Sequence, residues 1–158
     1  MRLLNKRVLL LVADGVELAE YEQLRRGFEA EGAEVVATTN LEFITVESVY
    51  EGQRGRDILI DIPFEGVEEG YYDGLVLPDG YLSVSSWQED GRVLELIRKF
   101  HRIGRPIFAS GQAAGLLYEA GVLSQGVLVR EGTPLTSFIT QAISVLTDSN
   151  KPKYFSGY

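Results

Sequence analysis

A parallel α/β sandwich is the fold this sequence predicts, and three observations carry it. Short apolar runs recur without alternation, as strands buried on both faces do. They are Lys6–Val12 (KRVLLLV), Glu34–Thr39 (EVVATT), Gly74–Leu77 (GLVL) and Pro106–Ala109 (PIFA). Amphipathic stretches of helical length separate them, and Gly, Asp and Pro punctuate the joins. Strands alternating with helices build a parallel sheet covered on both sides, with ligands at the carboxyl ends of its strands.

The elements follow in order. Lys6–Val12 is a central strand, ended by Ala13-Asp14-Gly15. A helix runs from about Glu17 to Glu31 with Leu18, Tyr21, Leu24 and Phe28 on one stripe, and Gly32 stops it. Glu34–Thr39 closes a βαβ unit. Phe43–Tyr50 alternates Ile44, Val46, Ser48 and Tyr50 against polar neighbours. With the glycines of Glu51–Arg56, it reads as a hairpin continued by Asp57–Ile62. Gly74–Leu77 breaks sharply at Pro78-Asp79-Gly80.

A helix from about Asp90 to Ile103 turns Val93, Leu94, Ile97 and Phe100 inward, and Gly104 caps it. Pro106–Ala109 is the next strand, and the helix after it ends near Ala120-Gly121. Val127–Arg130 reads as a short strand and Thr136–Thr147 as a last amphipathic helix. The domain reading is one α/β domain over residues 1–150 and a tail from residue 151 to 158.

Composition narrows the function classes. At 158 residues, with 45% hydrophobic and 24% charged residues, the chain is of ordinary globular make-up. A net charge of -8 argues against nucleic acid or an anionic membrane surface as partner. Zero cysteines exclude disulfides, thiolate metal sites and thiol catalysis together. One histidine and no cysteine leave no metal site to expect, and no Gly-rich phosphate loop is present. No cofactor is expected. The apolar run Val8–Val12 is too short for a signal segment or a membrane span, so a cytoplasmic protein is expected.

The most telling stretch is Arg105–Leu117, RPIFASGQAAGLL. Strand, sharp turn and buried helix are how a nucleophile elbow presents a reactive Ser or Cys above a sheet. Here the tip is Gly111, which glycine's freedom suits but which carries no reactive group. Ser110 is the hydroxyl beside it and the candidate nucleophile for an enzymatic reading, and a simple turn residue otherwise. The single histidine, His101, falls on the preceding helix and is expected away from the elbow.

At three turns the chain resembles a family. VLLLVADGVELAEYEQLRRGFEAEGAEV, YDGLVLPDG and GRPIFASGQAAGLLYEAGVL are similar to the ThiJ/PfpI family of the class I glutamine amidotransferase-like superfamily. The resemblance runs from about Lys6 to Leu123 and resumes over Gly132–Leu146. It implies a three-layer flavodoxin-like sandwich with a mostly parallel central sheet. It also implies a glutamate after the first strand, matched by Glu17, that hydrogen-bonds a reactive cysteine. The family's Pro-Gly-Gly turn, which lends an oxyanion-hole N–H, is matched by Pro78-Asp79-Gly80. Its Cys-His-Gly elbow falls on Gly111, Gln112 and Ala113, so nucleophile and histidine are both replaced. Ser124–Thr133 is far shorter than the family's segment there, which shortens the C-terminal third.

Each position also has an ordinary reading. Glu17 suits a helix N-terminus, where the dipole favours a carboxylate by about 0.3–1 kcal/mol. Asp79 suits a tight turn, or sets a second carboxylate near Glu17. Two functions are therefore expected. One is a degenerate family member kept for a small ligand, a protein partner or homo-oligomeric assembly. The other is a protease-like or glyoxalase/deglycase-like hydrolase using Ser110 or a Glu17-activated water.

Overall fold

The computed structural model describes residues 1–122 and 126–148. In chain order the strands are β1 (Arg7–Leu11), β2 (Val16–Glu17), β3 (Glu34–Thr39), β4 (Thr45–Tyr50), β5 (Gln53–Leu59), β6 (Ile62–Pro63), β7 (Gly74–Leu77), β8 (Ile107–Ser110) and β9 (Val127–Arg130). The helices are α1 (Leu18–Ala30), α2 (Tyr81–Gln88), α3 (Gly91–Arg102), α4 (Ala114–Ala120) and α5 (Leu135–Asp148). The main sheet has the order β6-β3-β1-β7-β8-β9, and every pairing in it is parallel. The tail expected from residue 151 lies outside the described residues.

Alternate residues of each strand feed opposite layers, as a pleated strand requires. Val8, Leu10, Val35, Val76 and Phe108 pack with α1 and α5. Leu9, Leu11, Leu75, Leu77, Ile107 and Ala109 pack with α2, α3 and α4. The result is the three-layer sandwich the sequence implies. The stripe Leu18, Tyr21, Leu24 and Phe28 of α1 is buried as expected. On α3 the fourth buried position is Leu96 rather than Leu94, which is half-buried.

Two elements depart from expectation. The hairpin forms between β4 and β5, and β2 joins it as a third strand, but it ends at Leu59. Ile62 belongs instead to the main sheet, where β6 pairs with β3. Asp61 makes the transfer: its N–H donates to the Ala37 carbonyl at 2.9 Å, and its carboxylate accepts the Ala37 N–H at 2.7 Å. The second departure is α2, which the sequence does not announce. Its inward face is Ser83, Val84 and Trp87, while Tyr81 and Leu82 face solvent, so no apolar stripe is visible.

Helix α3 begins on a cap that also ties it to the sheet. Asp90 accepts the Arg92 N–H at 3.0 Å and the Arg92 guanidinium at 2.8 Å, and Asn40 at the end of β3 donates to it at 3.2 Å. These bonds, the Arg92 side chain first, hold the Asp90 carboxyl down to about 2, from an ordinary 3.8. A depressed acid stabilises the fold above its ordinary value and stops doing so as pH falls through the folded one. Asp90→Ala should therefore cost about 1–2 kcal/mol at neutral pH in urea denaturation. That difference from the parent should shrink between pH 3.8 and about 2.

Candidate functional site

The sheet brings three turns together at the carboxyl ends of β1, β7 and β8. Helix α1 starts above β1, with Glu17 in the N-cap position. The Pro78–Gly80 turn leaves β7, and the elbow leaves β8 as a single 3-10 turn, Gly111–Ala113, that runs into α4. The elbow predicted from the sequence is present, and its tip is Gly111 at φ +60. Side chains rarely adopt that left-handed conformation.

Asp79 fills the elbow. Its Oδ1 accepts the Gly80 N–H at 2.8 Å and the Gln112 N–H at 3.0 Å. A Cβ placed on Gly111 would collide with both the Oδ2 and the Cγ of Asp79. The carboxylate therefore stands where a side chain at position 111 would begin. It also takes the Gly80 N–H, the donor that the family resemblance assigns to an oxyanion hole. Gln112 gives only its backbone to this arrangement, and its residue is exposed.

Glu17 and Ser110 are not brought together. Glu17 is exposed, and it reaches the turn through its backbone N–H, which donates to the Asp79 carbonyl at 3.4 Å. The carboxylate that enters the site is Glu20, one helical turn on and buried. Its Oε2 accepts the Asp79 N–H at 2.7 Å, and its Oε1 accepts the Ser110 hydroxyl at 3.1 Å. Arg130, at the end of β9, donates through Nη1 to the Ser110 Oγ at 3.1 Å and to Glu20 at 3.4 Å. Ser110 is thus sealed, with no exposed surface, between an acid and a guanidinium.

Sequence reading passed over Glu20 and Arg130. The signal for Glu20 was its place beside Tyr21, on the inward side of α1. The signal for Arg130 lay in the strand register, which pairs it with Ser110. His101 lies in the last turn of α3, ahead of β8, whereas the elbow follows β8. Among the described residues no group of three or more His, Cys, Asp or Glu is placed to hold a metal ion.

Burial pushes the Glu20 carboxyl above its ordinary 4.5, and the Asp79 charge adds to the rise. The hydrogen bonds from Asp79 N–H and Ser110, and the Arg130 charge, pull the other way. A raised acid binds its proton more tightly in the folded chain than in the unfolded one. Its contribution is full below 4.5 and is lost as pH rises through the folded value. In chemical denaturation at stepped pH, Glu20→Gln should remove that fall. Gly111→Ala should cost more than about 2 kcal/mol, combining left-handed strain with the Asp79 collision. In an Asp79→Gly background the penalty should fall to about 1 kcal/mol, and denaturation of the four proteins reads the difference.

A 118-residue stretch is 27% identical to catalase HPII of Mycobacterium avium, covering 75% of this chain and 16% of the catalase. Over 121 residues the chain is 28% identical to protein/nucleic acid deglycase 2 of Escherichia coli, covering 76% of this chain and 67% of the deglycase. In structure it is similar to Drosophila melanogaster DJ-1beta, with a TM-score of 0.79 at 19% identity over 91% of both chains. It is also similar to an Anabaena variabilis protein with DJ-1/ThiJ/PfpI-like and ferritin-like domains, at TM-score 0.78 and 15% identity. That match covers 92% of this chain and 52% of the other. The model of the DJ-1/PfpI family matches residues 6–136, most of the length, and this chain therefore belongs to the DJ-1/PfpI family.

Proposed function

We propose that this chain is a catalytically degenerate DJ-1/PfpI domain, kept for binding and assembly rather than for thiol chemistry. The observation that carries the reading is the elbow tip. Gly111 has no side chain, the 158 residues contain no cysteine, and the vacant volume holds the Asp79 carboxylate. No other side chain matches a thiolate in nucleophilicity near neutral pH. The deglycase relative bears the name of an activity that a related chain carries. The catalase relative supports a different use, because the stretch it shares with this chain is 16% of its own length. A unit of this kind inside a much larger protein suits a role in docking or assembly, here as a homo-oligomer or with a protein or small-molecule partner. Such a protein would act in the cytoplasm, and among the described residues no helix is long and apolar enough to cross a membrane.

One observation favours a hydrolase instead: the Ser110 hydroxyl donates to a carboxylate, as a nucleophile paired with a base does. The same hydroxyl is fully buried and bound by Arg130, which opposes attack on a substrate. Purified protein should give only background with peptidase, esterase and glyoxal substrates. Glu17→Ala, Ser110→Ala and Glu20→Gln should match it. Turnover that any of the three abolishes would overturn the degenerate reading. A monomer by mass measurement in solution would remove the homo-oligomeric part.

A further inference from the structure

We propose that this chain pairs with a second copy of itself through β9, whose outer edge continues the sheet from one copy into the other. The inference rests on the assembly part of the reading above and names a surface for it. Strand β9 ends the main sheet, and only residues 131–134 separate it from α5, so among the described residues no strand lies outside it. The Gly126 carbonyl accepts the Ile107 N–H at 2.8 Å. Along an extended strand, successive residues turn their N–H and C=O to opposite sides. Gly126, Leu128 and Arg130 therefore serve β8, while Val127 and Val129 turn theirs outward.

An edge of this kind is a template for another strand, and proteins blunt such edges with Pro, Lys or brevity. The opposite edge is blunted, since β6 is only Ile62 and Pro63. Strand β9 has no Pro or Lys, and its one charge, Arg130, turns inward to Ser110 and Glu20. A second copy suits it because VLVR is complementary to itself about a two-fold axis. With Leu128 opposite the partner's Leu128, antiparallel pairing sets Val127 against the partner's Val129. Every outward N–H and C=O of Val127 and Val129 is then bonded. Arg130 falls opposite the partner's Gly126, which has no side chain to crowd it, and like charges stay at opposite ends.

A stable dimer takes roughly 800 Å² from each partner, more than a four-residue strand offers, so the flanks must contribute. On one face α4 sets exposed Tyr118 beside exposed Val129, along a groove of about 320 Å³ whose lining carries one charge, Glu131. On the other, α5 packs over β9 and has no charged side chain from Leu135 to Thr147. Depletion of charge marks the core of an interface, and a chain of net charge -8 can approach its copy only through such a surface.

Sedimentation of the intact chain should give a dimer. Val129→Lys, which brings lysines into the shared edge, should weaken it at least about tenfold. Val129→Pro removes an outward N–H, spares the β8 ladder and should act the same way. Tyr50→Lys, exposed on the hairpin, should leave the dimer intact. Circular dichroism checks folding, and if Val129→Pro does not fold, Val129→Lys carries the comparison. Because the chain has no cysteine, Leu128→Cys adds a single thiol. In this register the paired Cα atoms stand about 4.5 Å apart, so mild oxidation should join the two copies, and Tyr50→Cys should stay unjoined. A monomeric parent overturns the proposal and leaves the edge to a strand of another protein. A dimer that Val129→Lys does not weaken, or that Leu128→Cys fails to cross-link, overturns it while the assembly reading stands. Turnover would overturn the degenerate reading and leave this interface standing.

Discussion

The buried carboxylate of Glu20 is the interaction on which the upper end of this sheet depends. From the first turn of α1 it holds the β7 turn through Asp79, the end of β8 through Ser110 and the end of β9 through Arg130. Four elements distant in sequence thus meet on two oxygen atoms. Burying a carboxylate is costly unless hydrogen bonds and a counter-charge meet it, and here both do. Removing a single partner would leave the rest of the cluster desolvated. Such networks resist piecemeal change.

This clasp also changes how the elbow is understood. In a reactive elbow the residues under the tip activate the nucleophile. Here the Ser110 hydroxyl, the Glu20 carboxylate and the Arg130 guanidinium beneath the tip bond one another and seal the floor. The tip is closed separately by Asp79, whose carboxylate binds the elbow from the neighbouring turn. Floor and tip are tied because the Asp79 backbone N–H belongs to the Glu20 cluster while its side chain belongs to the elbow.

The sandwich was legible because its strands are uninterrupted apolar runs that local pattern alone reveals. Glu34–Thr39, Gly74–Leu77 and Val127–Arg130 match the observed strands residue for residue. Helix α2 was not legible, because Ser83 occupies part of its inward face and exposed Tyr81 and Leu82 blur the period. The transfer of Ile62 to the main sheet rests on Asp61, a single polar residue whose partner is 24 positions away. In the site, the family resemblance drew attention to Glu17, while the helix turned Glu20 inward. Arg130 became visible only through the pairing of β8 with β9. Local pattern found the elements, and long-range register decided which side chains meet.

The shared volume at positions 79 and 111 couples the two side chains. A Cβ at 111 would meet the Asp79 carboxyl, so that carboxyl must swing out of the elbow before a side chain at 111 can enter it. A side chain placed at 111 would call for a change at 79, or for a rotation of Asp79 that gives up its bonds from the Gly80 and Gln112 N–H groups. Installing a reactive side chain at this elbow would therefore begin at position 79 rather than at 111.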